Sequence, residues 1–405
     1  MIVTGTWRGR PVTLSIKPNC LTVSLDDPAQ AEVYSYDLEG RLWTAFMNGR
    51  AYRRGLDGKI IVRWRDPGAA RERRWLDLEQ ALAVEARVRQ AVAGLYAALE
   101  SGAAQLNGPL PPEARQALCD AIAFDRARSQ ADAAHYHQVY KPIGILPPDQ
   151  YMAVVLQATE GCSFNTCTFC SFYRDRPFRI KTPDEFRQHA QDVRAFLGRG
   201  LSLRRTIFLG DANAIVVPTE RLLRLLDVVH EVYDVERLGG IYAFLDGFSG
   251  EKKSAVDYAR LRARGLRRVY IGLESGSPGL LRLLRKPGLP ADAVAAVRAL
   301  KTAGVAVGVI VLLGAGGQRW AAEHVRESTA VLNAMQLDLD DIVYFSELFP
   351  APDAPYTQDA IQAGLQPLTP EEIAAQQAAI EAGLVFTAAR GTPHISRYDI
   401  REFIY

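Results

Sequence analysis

The first 65 residues carry apolar side chains at a period of two. Val12, Leu14 and Ile16 alternate with polar positions, as do Leu21, Val23 and Leu25, the pattern of half-buried strands. Tyr34, Tyr36, Trp43 and Phe46 add strand-forming aromatics. Asp57-Gly58, set between AYRRGL and KIIVRW, is a hairpin signal. A small antiparallel sheet or barrel is predicted. From 76 to 100 the period lengthens, with Leu78, Leu82, Val88, Val92, Leu95 and Leu99 at helical steps. Pro109, Pro111 and Pro112 punctuate a linker, and 114–136 reads as a second helix. Cys20 beside a strand and Cys119 on that helix read as small buried residues. His135 and His137 fall on different helix faces, as packed or solvated side chains.

After a proline-rich lead-in at 140–151 the pattern changes again. Apolar runs at 153–157, 206–209, 240–245, 269–273, 305–313 and 342–345 alternate with helical stretches at 182–197, 220–232, 252–264, 291–303 and 321–335, and a last helix opens at Thr369. Thr182 and Thr369 each begin a capping box. Apolar strands joined by helical crossovers pair in parallel and are covered on both faces. The class is α/β, and six strand–helix units predict a partial (β/α)6 barrel, too few for a closed eight-fold one. The predicted organisation is a β-rich region over 1–75, a helical region over 76–139, the barrel over 140–350 and a helical extension over 351–405.

Composition narrows the function. The chain has 405 residues, 48% hydrophobic and 23% charged, as an ordinary globular protein of two or three domains has. A net charge of +2 implies no polyanionic partner, and the absence of a basic stripe counts against nucleic acid. No signal-like apolar run opens the chain, and no stretch of about 20 apolar residues predicts a membrane span. Five cysteines, three of them clustered, do not suggest a disulfide framework; a reducing cytoplasm is the expected compartment.

The clustered cysteines are Cys162, Cys167 and Cys170, spaced C-x4-C-x2-C in the stretch QATEGCSFNTCTFCSFY. Thiolates this close suit an iron–sulfur cluster and are also acceptable to zinc. A plant-type two-iron centre opens with the same spacing but needs a fourth cysteine further on, and none follows Cys170. Three protein ligands leave a metal position open, which points to chemistry rather than to a closed structural site.

With Phe169 just before the last cysteine, and in the setting T-x-G-C-x-x-N-x-C-T-F-C-x-x-Y, this loop resembles the cluster loop of the radical S-adenosylmethionine (radical SAM) enzymes. Its commonest family spacing is one residue shorter. The similarity is to the branch of oxygen-independent coproporphyrinogen oxidase-like and elongator-like proteins, and it covers roughly 140 to 405. It implies a partial barrel with its site at the C-terminal strand ends, a [4Fe-4S] cluster on the three cysteines, and SAM on the fourth iron. It further implies that Gly210 and Asp211, in LGDAN after the second strand, stand where the family holds the amino group of SAM. Glu274 and Ser275, in GLESG after the fourth strand, match the carboxylate motif for the ribose or methionine end. Leu313 and Gly314, ending the fifth strand, match the adenine side, with Phe169 beside cluster and adenine.

Arg174, Arg176, Arg179 and Lys181 follow the cysteines, either as a solvated loop paired with Asp175 and Asp184 or as a clamp for an anion. His394 and Arg397 lie in a tail predicted to pack over the barrel mouth. The resemblance implies one-electron cleavage of SAM to methionine and a 5′-deoxyadenosyl radical. That radical would abstract hydrogen from a small-molecule substrate the sequence does not name. The electron would come from a donor such as flavodoxin or ferredoxin. Two other readings stay open: a non-catalytic zinc or iron–sulfur module, and a nucleic-acid modifying protein.

Overall fold

The computed structural model describes residues 1–405 except 28–29, 69–70, 249–251, 351–353 and 387–390, so Ala351 and Pro352 of the stretch after the sixth strand lie outside the described residues. The chain divides into two compact units. One comprises 1–142, 192–205 and 404–405, the other 143–191 and 206–403.

In the first unit, the described residues form a nine-stranded antiparallel sheet. Eight strands are neighbours in chain order, and a ninth, Ala104–Leu106, adds to the free edge of Ile2–Trp7. Asp57-Gly58 joins Arg50–Arg54 to Ile60–Trp64, as the turn signal predicts. Val12, Leu14, Leu21, Val23 and Tyr34 share a core with Val88, Val92 and Leu95 of the helix Leu78–Ser101. That helix opens on a capping box of Asp77 and Gln80. The single helix predicted over 114–136 is two, Pro112–Ala123 and Arg126–Val139. Asp125 accepts the Arg128 N–H and restarts the helix as its cap. Cys20 is buried and Cys119 half-buried. His135 stacks edge-on against Phe196 and His137 against Tyr136, each at 5.2 Å.

The second unit contains a seven-stranded parallel sheet, its described strands in unbroken chain order: Ala153–Gln157, Thr206–Gly210, Ile241–Leu245, Leu266–Glu274, Ala306–Leu313, Ile342–Glu347 and His394–Arg397. Six were predicted; the seventh is the tail expected to pack over the mouth. It instead pairs in parallel with the sixth, His394 opposite Ile342 and Arg397 opposite Phe345. Past it, Tyr398 donates its hydroxyl to the Leu146 carbonyl at 2.6 Å, bringing the end of the seventh strand to the lead-in of the first.

Side chains two apart on a strand share a face, and the inward positions form layers. In the lower layer Tyr270, Phe208 and Phe244 pack with centroids 5.1–6.1 Å apart. Asp149 accepts hydroxyl hydrogen bonds from Tyr270 and, at 2.8 Å, from Tyr344, and pairs with Arg268 at 3.1 Å. Gly308 makes room for this layer, since a Cβ there would lie 2.3 Å from the Tyr270 ring. The next inward positions up the same strands, Gly272, Ile310 and Ser346, line a cavity at the C-terminal strand ends, where such folds place their chemistry.

Removing Asp149 strands two tyrosine hydroxyls and a guanidinium. Asp149→Ala is expected to cost about 2–4 kcal/mol, read as a lower urea midpoint for the parallel-sheet unit. An unchanged midpoint would show that the Tyr270 and Tyr344 hydroxyls find other partners.

Candidate active site

Cys162, Cys167 and Cys170 leave the first strand on a loop and line one cavity of about 290 Å³ together with Phe169. Neighbouring backbone pins the loop. Thr168 donates its N–H to the Leu284 carbonyl at 3.0 Å and accepts that of Tyr356 at 3.2 Å. The Thr166 hydroxyl reaches the Arg285 carbonyl, and Asn165 in a left-handed conformation (φ +53°) donates its side-chain amide to the Tyr173 carbonyl. The N–H of Asn165 points at Cys162 Sγ, 3.4 Å away.

Asp211 ties this loop to the sheet. Its Oδ1 accepts from Gln157 Nε2, ending the first strand, at 3.0 Å. Its Oδ2 accepts from the Gly161 N–H and from Arg176 Nε, each at 3.0 Å. Its own N–H donates to Thr159 Oγ1 at 3.0 Å. Burial pushes the Asp211 pKa up, and Arg176 with the other donors opposes that. This revises the expectation for the turn after the second strand. Asp211 has both oxygens engaged and does not line the cavity, nor does Gly210; Ala212 and the buried Asn213 do.

The basic run is spent locally as well. Arg174 donates to the Cys167 carbonyl, Arg176 pairs with Asp175 and Asp211, Arg179 with Glu160 and Glu185, and Lys181 with Glu160. Asp184 pairs with Arg187 instead. None of the four basic residues lines the cavity.

Glu274 does face it. The fourth strand shifts register against the fifth between Gly272 and Glu274, and Glu274 adopts φ +59°. Its carboxylate pairs with Lys286 Nζ at 3.2 Å, both side chains 11% exposed. Gly272 leaves the space for this pair, since a Cβ there would sit 2.3 Å from Glu274 Oε1. Burial alone would lower the Lys286 pKa; Glu274 and then Cys167 more than offset it, so the ammonium is held. Lys286 went unforeseen because it follows a short helix, Pro278–Leu283, and belongs to no motif read in the sequence. Ser275 is fully buried behind the wall, 2.8 Å from His324 Nδ1, which also meets Ser328 Oγ at 3.1 Å. On the fifth strand Ile310 and Leu312 face the cavity and Leu313 does not, as strand parity requires. Gly314 lies beyond, donating its N–H to Gln376 Oε1.

The donor set fits an iron–sulfur cluster with three protein ligands. All three thiols face one cavity, and among the described lining residues there is no fourth cysteine and no histidine. No three His, Cys, Asp or Glu among the described residues are gathered to hold a single metal ion. A cluster asks less convergence, because each thiolate bonds its own iron. Burial pushes the Cys167 thiol up to about 11, with Lys286 opposing, and raises that of Cys170. Iron binding would therefore displace protons from these groups.

The sequence model of the Radical SAM superfamily matches residues 156–327. No curated protein matches the chain. Among solved structures, methylornithine synthase is similar at 16% identity and TM-score 0.40, over 60% of this chain and 70% of that one. Coproporphyrinogen III oxidase from Escherichia coli, a radical SAM enzyme, is similar at 15% and 0.39, over 55% and 50%. A radical S-adenosylmethionine methyltransferase from Kitasatospora setae, seen with cobalamin and a [4Fe-4S] cluster, is similar at 16% and 0.41, over 55% and 43%. The chain thus spans half or less of the last two. At these TM-scores the likenesses say nothing of this chain's activity. No described helix is long and apolar enough to cross a membrane.

Asp211→Ala would leave the buried Arg176 guanidinium without its buried partner. A loss of about 3 kcal/mol is expected, with faster hydrogen exchange at the Gly161 and Cys162 amides; unchanged exchange there would mean that Asp211 does not anchor the loop. His324 generates a pH dependence. Burial lowers its pKa to about 4, against about 6.5 unfolded. The native state therefore keeps it neutral, and stability is complete above the unfolded value. That stability drains away as pH falls from about 6.5 through 4, by up to about 3 kcal/mol. His324→Gln should begin less stable and show a flatter urea midpoint across that range.

Proposed function

We propose that this chain, whose residues 156–327 match the Radical SAM superfamily model, is an enzyme whose Cys162, Cys167 and Cys170 hold a [4Fe-4S] cluster and whose cavity binds SAM and a small-molecule substrate. With cluster and SAM bound, the site supplies one-electron cleavage of SAM to methionine and a 5′-deoxyadenosyl radical that abstracts hydrogen. The electron comes from a donor such as flavodoxin or ferredoxin. The observation that carries this reading is the sharing of one cavity by three thiols, Glu274 and Lys286 at the C-terminal strand ends.

The chain's own residues divide the remaining work. The cysteines ligate as thiolates. Glu274 offers a carboxylate to an ammonium or to ribose hydroxyls, and the neighbouring Lys286 offers a donor to a carboxylate. An amino-acid group carries both charges, so a buried, oppositely charged pair suits it. Asn213 adds an amide at the wall. Phe169, Ile310 and Leu312 present apolar surface that suits a flat heterocycle. Together with the packed aromatic layer below, they keep water from a reactive intermediate.

After anaerobic reconstitution with iron, sulfide and a strong reductant, the protein should turn SAM into 5′-deoxyadenosine, followed by chromatography. Cys167→Ala should abolish both the cluster absorbance and that product; product formation without the cysteine would sink the assignment. Glu274→Gln should keep the cluster and weaken SAM binding about 10–100-fold, the usual range for a charge-assisted hydrogen bond.

A further inference from the structure

The turn that carries Lys286 is laid against the cysteine loop. The Thr168 N–H donates to the Leu284 carbonyl at 3.0 Å and the Thr166 hydroxyl to the Arg285 carbonyl at 3.3 Å, one contact on each side of Cys167. Arg285 takes a left-handed conformation (φ +48°), and the Lys286 N–H returns to the Leu281 carbonyl at 2.9 Å. Lys286, so delivered, lines the same cavity as the three cysteines. Glu274 meets its ammonium at 3.2 Å, and the Phe248 ring covers it, with 5.7 Å from nitrogen to ring centroid. Phe248 in turn packs edge-on against Phe164 of the cysteine loop, their centroids 5.3 Å apart.

A charged pair walled in by rings acts through a poorly screening medium. The two fields cancel only at points equally far from both charges. At the Cys167 thiol burial is the largest influence, and among the charges Lys286 outweighs Glu274. At Cys170 burial again comes first, but Glu274 outweighs Lys286. The pair is therefore not electrically silent where the sulfurs lie. We propose that Lys286 and Glu274 tune the reduction potential of the [4Fe-4S] cluster, the ammonium raising it and the carboxylate lowering it. This rests on the reading of Cys162, Cys167 and Cys170 as cluster ligands. Reduction brings one electron from a flavin or iron–sulfur protein to the cluster, and no bond is made or broken. A fixed cation stabilises the added negative charge and a fixed anion opposes it, and local charge is one of the settings of a cluster's potential.

The test uses full-length protein reconstituted with iron and sulfide, without SAM, at about pH 8, where carboxylates are ionised and ammonium groups protonated. A mediated redox titration is followed by the electron paramagnetic resonance of the reduced cluster. Glu274→Gln should raise the potential by about 59 mV, a tenfold change in the one-electron equilibrium. Lys286→Met should lower it by a comparable amount, and the double variant should fall between the two. Residues that merely support the fold would shift both single variants in one direction or neither. Iron and sulfide are counted in each protein; if Lys286→Met does not hold the cluster, the sign of the Glu274→Gln shift decides. The proposal is overturned if a single variant that holds the cluster shifts in the opposite sense, or by less than about twofold in the equilibrium constant. Formation of 5′-deoxyadenosine is measured on the same preparations after SAM is added. A wild type that holds no cluster overturns the site reading and this inference together. A wild type that makes the product while the potentials coincide overturns this inference alone. Shifts of the expected signs without product support the tuning and sink the SAM reading.

Discussion

A carboxylate buried between two strands and a loop holds the site in place. Asp211 sits at the end of the second strand and binds Gln157 of the first, Gly161 just before the first cysteine, and Arg176 just after the last. Those contacts join the sheet to both ends of the cysteine loop. Aromatic packing helps to fix the loop as well, with Tyr173 buried and Phe169 set against Leu280, Leu284 and Leu312. Its other anchors include the backbone bonds of Thr168 with Leu284 and Tyr356 and the Thr166 hydroxyl on the Arg285 carbonyl. The ion pair is buried and both oxygens of its carboxylate accept hydrogen bonds, which offsets part of the desolvation that such a pair costs.

The fourth strand contributes in a different way. A local register shift and a left-handed backbone lift Glu274 over the strand end, and Gly272 leaves its side chain space. Behind it, Ser275, His324 and Ser328 form a buried polar contact that supports the turn. The same five-residue motif therefore serves the cavity with one side chain and the packing with the next. Lys286 completes the arrangement from beyond the following helix.

Much of this was legible in the chain. The apolar runs located six parallel strands because strands buried on both faces tolerate few polar residues, and the cysteine spacing located the loop. The seventh strand was missed because HISR carries one apolar residue and lies at the sheet edge, where periodicity fades. The helix break at Asp125 is a capping signal that was overlooked. Leu313 could have been set aside by counting in twos from Ile310. The employment of Asp211 could not be read from sequence, because a carboxylate after a strand looks the same whether it faces a ligand or an arginine 35 residues earlier in the chain. Lys286 needed coordinates, since it belongs to no motif and only tertiary placement brings it to Glu274.

The layer formed by Asp149, Tyr270 and Tyr344 has a consequence for traffic. It fills the interior just beneath Gly272, Ile310 and Ser346, so the chamber has a solid floor and its opening lies at the strand ends. A guest therefore cannot cross the sheet from below and has to come and go on the side of the C-terminal strand ends.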